Sequence, residues 1–201
     1  TSTATVNFNS DSIVSLGGIN VGLTPLGGTY AVTQSGGAVS LTGDLMIADG
    51  DDSLASGHYS ISGGSLSAVG LNTGGNGTST AKFSVSGSDA NISFSSQSSL
   101  GGQTELEFIL DATGGSALDM TAGGYTVAST ASLTVDASAY LESTGDGILL
   151  IGTTNTPPAF NVANVSVPLG YDLDYRPDGL YLIGASSSAA VSPPSLRVGR
   201  F

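Results

Sequence analysis

Cysteine and tryptophan are absent from this chain, and its basic residues number only four, Lys82, Arg176, Arg197 and Arg200, against sixteen acidic ones and a formal net charge of −12. Without cysteine there are no disulfides, so the fold rests on its own core, and a repetitive core over 201 residues is large enough for that. The scarcity of cations excludes nucleic acid as a partner, because phosphate binding needs clustered lysine and arginine. Charged residues of both signs make up only 10% of the chain, too few for the solvated faces of a helical protein, and no window carries a long amphipathic helix. No apolar run approaches the ~18 residues of a membrane span. Catalytic signatures are also missing: the single histidine, His58, has no cysteine nucleophile and no acid at a recognisable spacing, and no G-x-S-x-G elbow is present. The sequence opens at Thr1 without a charged, apolar leader, as expected of an exported chain whose targeting peptide has been removed. An acidic surface with few trypsin sites suits an extracellular or cell-surface location, with a virion surface as the alternative.

What is abundant is glycine, at 30 residues, together with serine, threonine and alanine, a composition of short strands joined by tight turns. One phrase recurs three times within residues 27–94: GTYAVTQSGGAVSL, GHYSISGGSLSA and AKFSVSGSDANISF. Each copy places an aromatic and a β-branched residue two apart, Tyr30 with Val32, Tyr59 with Ile61 and Phe83 with Val85, hence on one face of a strand. A Gly/Ser turn follows, then a second alternating pair: Val39 with Leu41, Leu66 with Ala68, Ile92 with Phe94. The leading aromatics lie 29 and then 24 residues apart, within the period range of stacked solenoid coils. Leu45 and Ile47 supply a third short strand, so one coil has about three strands. The expected fold is all-β: a right-handed parallel β-helix, or β-solenoid, with atypical capping strands at both ends; a β-sandwich or jelly roll is the alternative. Like residues then stack along the axis, and Tyr30, Tyr59 and Phe83 form the core ladder.

Along the chain, residues 1–26 form an N-terminal capping coil ended by Pro25, residues 27–104 the repeat coils, and residues 105–185 the more apolar C-terminal coils and closing strands. A turn is expected at Arg176-Pro177-Asp178-Gly179. Residues 186–201 are a Ser/Pro-rich tail suited to serve as an assembly arm.

The phrase G-[TH]-Y-x-[VI]-[ST]-x-S-G-G, followed by a short strand and a Gly-rich turn, resembles the autotransporter-associated β-strand repeats of very large bacterial surface proteins. The closing run, from LTVDASAYLESTGDGILLIG to FNVANVSVPLGYDLDYRPDGLYLIG, is similar to the end of those passenger regions, including exosortase-sorted surface proteins, although no Val-Pro-Glu-Pro sorting tag is present. The resemblance spans residues 27–184 and implies an extracellular passenger, shape and location more than activity.

Candidate sites are few. Asp44, Asp49, Asp51 and Asp52 form an acidic loop in which Asp49, Asp51 and Asp52 could hold calcium, the one cofactor the sequence suggests; the spacing matches neither an EF-hand nor a β-roll nonapeptide, and a solvated turn is the simpler reading. Asp172, Asp174 and Asp178 read as charge protecting a strand edge. Glu105 and Glu107 fall on one strand face, poorly placed to flank a glycosidic bond, and His58 points outward beside Thr29 and Lys82. Tyr125, Tyr140, Tyr171, Tyr175 and Tyr181 could stack against sugars; Tyr175 and Tyr181 are the candidate glycan contacts, with packing in the closing sheet the competing role. The leading expectation is a non-enzymatic extracellular structural protein, the subunit of a surface fibre, filament or coat that assembles with copies of itself through its ends or tail. If the tail drives assembly, deleting residues 186–201 leaves a folded monomer. A glycan-binding adhesive module and a virion fibre or decoration protein are the alternatives.

Overall fold

A computed structural model describes residues 2–22, 27–49, 54–74, 78–140 and 147–184. Asp51 and Asp52 of the acidic loop and the tail at 186–201 lie outside them, as does Pro25.

The chain winds into a parallel β-solenoid of about five turns. The first coil comprises β1 (Ser2–Phe8), β2 (Ile13–Leu16) and β3 (Ile19–Val21). In the next two coils the first two strands run together as one long bent strand, β4 (Gly28–Leu41) and β6 (Ala55–Ala68), each followed by a short one, β5 (Leu45–Ile47) and β7 (Leu71–Thr73). The fourth coil separates them again into β8 (Thr80–Ser86), β9 (Ala90–Phe94) and β10 (Ser98–Leu100), and the fifth into β11 (Thr104–Ile109), β12 (Leu118–Asp119) and β13 (Tyr125–Val127). Then come β14 (Ser132–Asp136), β15 (Ile148–Gly152), β16 (Val165–Ser166) and a hairpin of β17 (Tyr171–Arg176) and β18 (Gly179–Gly184). Three walls result. The first stacks β1, β4, β6, β8, β11, β14 and β16; the second stacks β2, the far halves of β4 and β6, β9, β12 and β15; the third stacks β3, β5, β7, β10 and β13, all parallel. At the C-terminal end β18 adds antiparallel to β15 and β17 to β18, so the closing layer reverses direction. The hairpin turns at Pro177 and Asp178, as the sequence predicts. The parallel stack continues across residue 105, where β11 pairs with β8.

Alternation puts every second side chain inside. On the first wall one ladder runs Val6, Val32, Tyr59, Phe83, Leu106, Leu133, Val165; on the second, Val14, Val39, Leu66, Ile92, Leu118, Ile151. Tyr59 and Phe83 thus stack as expected, rings 5.7 Å apart and 16° from parallel. Tyr30 does not join them. It pairs with Ala4 and Gly57, two residues out of step, and Val32 lies beside Tyr59. The correction has a local cause. The first corner of the second and third coils is a tight Gly-Gly turn at Gly36-Gly37 and Gly63-Gly64, whereas the fourth coil bulges through Ser86 to Ala90 before Ile92. Tyr30 stands six residues before its corner glycine, Gly36, and Tyr59 only four before Gly63, so with the corners aligned Val32 and not Tyr30 lies on Tyr59; the longer fourth-coil corner, nine residues from Phe83 to Ile92, still leaves Phe83 on Tyr59. Gly37 and Gly64 both have positive φ (71° and 79°), and each lies against the backbone of the preceding coil, Gly37 against Asn9 and Ser12 and Gly64 against Gly36 and Gly37, which is why the tight corner is built from glycine.

One polar residue follows the inward phase. Gln34 is fully buried opposite Ile61, accepts a hydrogen bond from the Tyr59 hydroxyl at 2.7 Å and donates its amide to the Ser65 carbonyl at 2.9 Å. The core therefore holds a closed polar link that pins the stacked ring. Tyr59→Phe leaves the Gln34 oxygen buried without a donor and is expected to cost about 1–3 kcal/mol by chemical denaturation. Tyr125→Phe makes the contrast: that hydroxyl is buried with no hydrogen-bond partner among the described residues, so its removal is expected to leave stability unchanged or higher.

The wide corner of the fourth coil is fastened from below by Asp111. One carboxylate oxygen accepts from the Thr113 hydroxyl and amide at 2.6 and 2.7 Å and from the Gly114 amide, the other from the Ser88 amide and hydroxyl at 3.1 Å. The Thr113 bonds, aided by those from Ser88, hold its pKa down from 3.8 to about 2. A carboxyl whose folded pKa lies below its unfolded one stabilises the fold above the unfolded value and loses that contribution as pH falls toward the folded one. The stability difference between the natural chain and Asp111→Asn is therefore expected to be constant above about pH 4 and to shrink between pH 4 and 2 in acid-dependent thermal melts.

Candidate functional site

The outward phase of the first wall carries the charge. In register across five successive strands of the wall stand Ala31, His58, Lys82, Glu105 and Ser132, and beside them Thr33, Ser60, Ser84, Glu107 and Thr134. His58 sits next to Lys82 as its outward position suggests, with Ala31 rather than Thr29 on its other side.

Stacking converts residues 58, 82, 84, 105 and 107 into one cluster. The Lys82 ammonium lies 2.8 Å from Glu107 and 3.3 Å from Glu105. Ser84 is buried and donates its hydroxyl to Glu107 at 2.7 Å, which leaves its oxygen to accept from His58 Nε2–H at 3.0 Å. Burial first, then the Lys82 charge, lower the His58 pKa against the pull of the two glutamates, so the ring is neutral at pH 7. Burial works against the charge of Glu107, but the Lys82 and Ser84 hydrogen bonds and the Lys82 and His58 charges outweigh it and lower the pKa; at Lys82 the same contest ends in a raised pKa. The cluster is thus set at neutral pH as one cation between two anions with a neutral imidazole at its side.

Chemically this arrangement offers hydrogen bonds more than reactivity. A Ser–His pair works when the imidazole takes the serine proton. Here that proton is already donated in a hydrogen bond to Glu107, and the imidazole faces the serine oxygen with its own N–H. Both carboxylates are held by one lysine, whereas glycoside hydrolysis needs a carboxylate kept apart and neutral to act as an acid. Next to the cluster runs a groove of about 410 Å³ lined by Thr29, Ser56, His58, Thr80, Lys82, Gln103, Glu105, Thr130 and Ser132, with Gly57 and Ala81 as its floor.

The other candidate residues are dispersed. Asp44 accepts from the Asn72 amide at 2.9 Å, and among the described residues no three acidic or imidazole groups gather around a point that could hold a cation; Asp49 is described, Asp51 and Asp52 are not. Asp174 pairs with Arg176 at 2.7 Å, and Asp178 accepts from the Tyr181 hydroxyl at 3.0 Å. β17, which carries Asp172 and Asp174, pairs among the described residues with β18 alone, so these acids do sit on an edge strand. Tyr175 and Tyr181 form no common platform. Tyr175 stands opposite the buried Leu180 with its hydroxyl oxygen accepting from Phe160 N–H at 3.3 Å, while Tyr181 stands opposite Asp174 under the Arg176 guanidinium, 4.2 Å from the ring centre. Tyr140 and Tyr171 pair 6.4 Å apart, and Tyr125 is buried.

The His58–Glu107 cluster escapes a reading of the sequence because its members come from three coils. The signal was present: aligning coils places His58 on Lys82, and one coil further, 23 residues on, lies Glu105. The chain matches no protein-family model, no curated protein and no solved structure.

Proposed function

We propose that this chain is a non-enzymatic structural segment of an extracellular surface protein, a rigid solenoid of the kind that autotransporter-associated repeats build, whose work is extension and assembly. The observation that carries this reading is the direction of the side-chain bonds on the outer walls. Ser60 to Thr33, Ser67 to Ser40, Thr80 to Ser56, Ser84 to Glu107, Lys82 to Glu105 and Ser88 to Thr113 each join one coil to the next. Individually the exposed contacts among them are worth at most about 1 kcal/mol. Repeated coil after coil, they brace the stack along its axis, which is the direction a rod must resist, and they occupy the groups that chemistry would need.

The two ends differ. The C-terminal end closes with an antiparallel hairpin, whereas β1 and β2 present Val6, Ile13 and Leu16 to solvent, Ile13 at 89% exposure, along an edge that can accept another coil. Assembly by coil addition at this edge predicts end-to-end association. Sedimentation velocity and negative-stain electron microscopy of the 201-residue chain should show rods longer than one solenoid, shortened to single units by Ile13→Asp. A monodisperse single unit at every concentration, unchanged by that substitution, would remove the assembly reading.

A further inference from the structure

We propose that the groove on the first wall is a binding site for a neutral polysaccharide chain lying along the solenoid axis. This stands apart from the assembly reading, since the groove begins on the second coil and does not involve the exposed edge of the first.

The groove crosses β4, β6, β8, β11 and β14, and strands in a sheet lie about 4.7–4.9 Å apart, so it runs roughly 19 Å along the axis. That repeat is close to the length of one sugar ring in an extended chain. Each coil contributes one polar side chain on one side of the groove, Thr29, Ser56, Thr80 and then Gln103, and the row of His58, Lys82 and Glu105 runs along the other. A polymer that presents hydroxyls at every ring along both edges meets donors and acceptors at matching intervals. Between the rows Gly57 and Ala81 turn inward, so the floor there is backbone that a ring can approach. The volume, about 410 Å³, lies in the range of small-molecule sites and suits a short stretch of such a chain.

Charge selects within the class. Lys82 is already bound by Glu105 and Glu107, and His58 is neutral, so the site has no cation to spare for a uronate, sulfate or phosphate. A net charge of −12 on the chain repels polyanions as well. The cluster is fixed before any ligand arrives, its glutamates and histidine held by lysine and serine, so binding need not order them.

The test is titration of the 201-residue chain with cellohexaose, chitohexaose and mannohexaose, and with hexagalacturonate as the anionic control, followed by calorimetry and by the His58 ring signals in NMR. At least one neutral hexasaccharide is expected to bind and to shift the His58 resonances. The double variant Thr80→Val/Gln103→Ala, whose folding is checked by its melting curve, is expected to bind about tenfold or more weakly, the loss of two hydrogen bonds. Tyr175→Ala is expected to bind as the natural chain does. Failure of all three neutral sugars to bind at millimolar concentration, binding unaltered by the double variant, or equal binding of hexagalacturonate would each overturn the proposal. Rod formation by the same preparation reports on the structural reading separately.

Discussion

Replacing Phe83 by alanine is expected to destabilise the fold by about 3–5 kcal/mol, enough to unfold much of the population of a marginally stable domain. Phe83 is fully buried at the centre of the first-wall ladder, with Tyr59 stacked on one side at 5.7 Å, Leu106 on the other, and the Phe94 ring edge-on at 6.5 Å across the interior. In a solenoid each layer buries the next, so a cavity here removes contacts from the layers on both sides as well as from the opposing wall. Collapse around it is hindered, because the flanking backbones are fixed by the parallel ladder of β6, β8 and β11. Equilibrium denaturation by guanidinium should show the midpoint falling with little change in slope. A loss below about 1 kcal/mol would mean that the aromatic stack is not the centre of the core.

Gly57→Val is expected to cost about 3 kcal/mol or more, through overpacking instead of a cavity. Gly57 occupies an inward position two residues before Tyr59, beside Tyr30 in the neighbouring coil. A Cβ there would meet the Val21 carbonyl, the Ile47 methyl at 2.9 Å and the Ala48 amide at 3.1 Å, all from the third wall. Two of these three are backbone atoms tied into hydrogen bonds, since Ala48 N–H donates to the Val21 carbonyl at 2.8 Å. They cannot step aside as a side chain would. The glycine lets the third wall close tightly against the first at this layer while Tyr30 fills the space one coil earlier. Thermal melts of Gly57→Ala and Gly57→Val should therefore fall in that order below the natural chain.

These two residues also mark where the sequence is legible and where it is not. Strand periodicity is written plainly: Tyr59 with Ile61 and Leu66 with Ala68 alternate with small polar residues, and the same pairs are inward in the structure. The three-strand coil follows from Leu45 and Ile47, which do form the third strand. Register was harder, because matching aromatic to aromatic assumes that each lies equally far from its corner, and Tyr30 lies six residues before Gly36 where Tyr59 lies four before Gly63. Gln34 looks like a turn residue beside Ser35 and Gly36, yet the inward phase Tyr30, Val32, Gln34 already places it inside, and the Tyr59 hydroxyl and the Ser65 carbonyl together make that burial tolerable. The charged cluster shows the same limit. His58, Lys82 and Glu105 are unremarkable at their own strands and become a site only when coils are laid on one another in the right order.

The most direct test of that order uses the natural absence of cysteine, which lets a designed pair report on register alone. Thr29 and Ser56 are neighbours in the parallel ladder and both point outward, so Thr29→Cys/Ser56→Cys brings two thiols within the Cα separation a disulfide accepts. Thr29 and His58 would be neighbours if Tyr30 lay on Tyr59, but in this fold they sit on a diagonal of about 7–8 Å, beyond that reach. Mild oxidation of the folded protein should close the 29–56 pair rapidly and leave 29–58 largely as free thiols. Rapid closure of 29–58 with 29–56 unreacted, or closure of neither, would contradict the stacking described here.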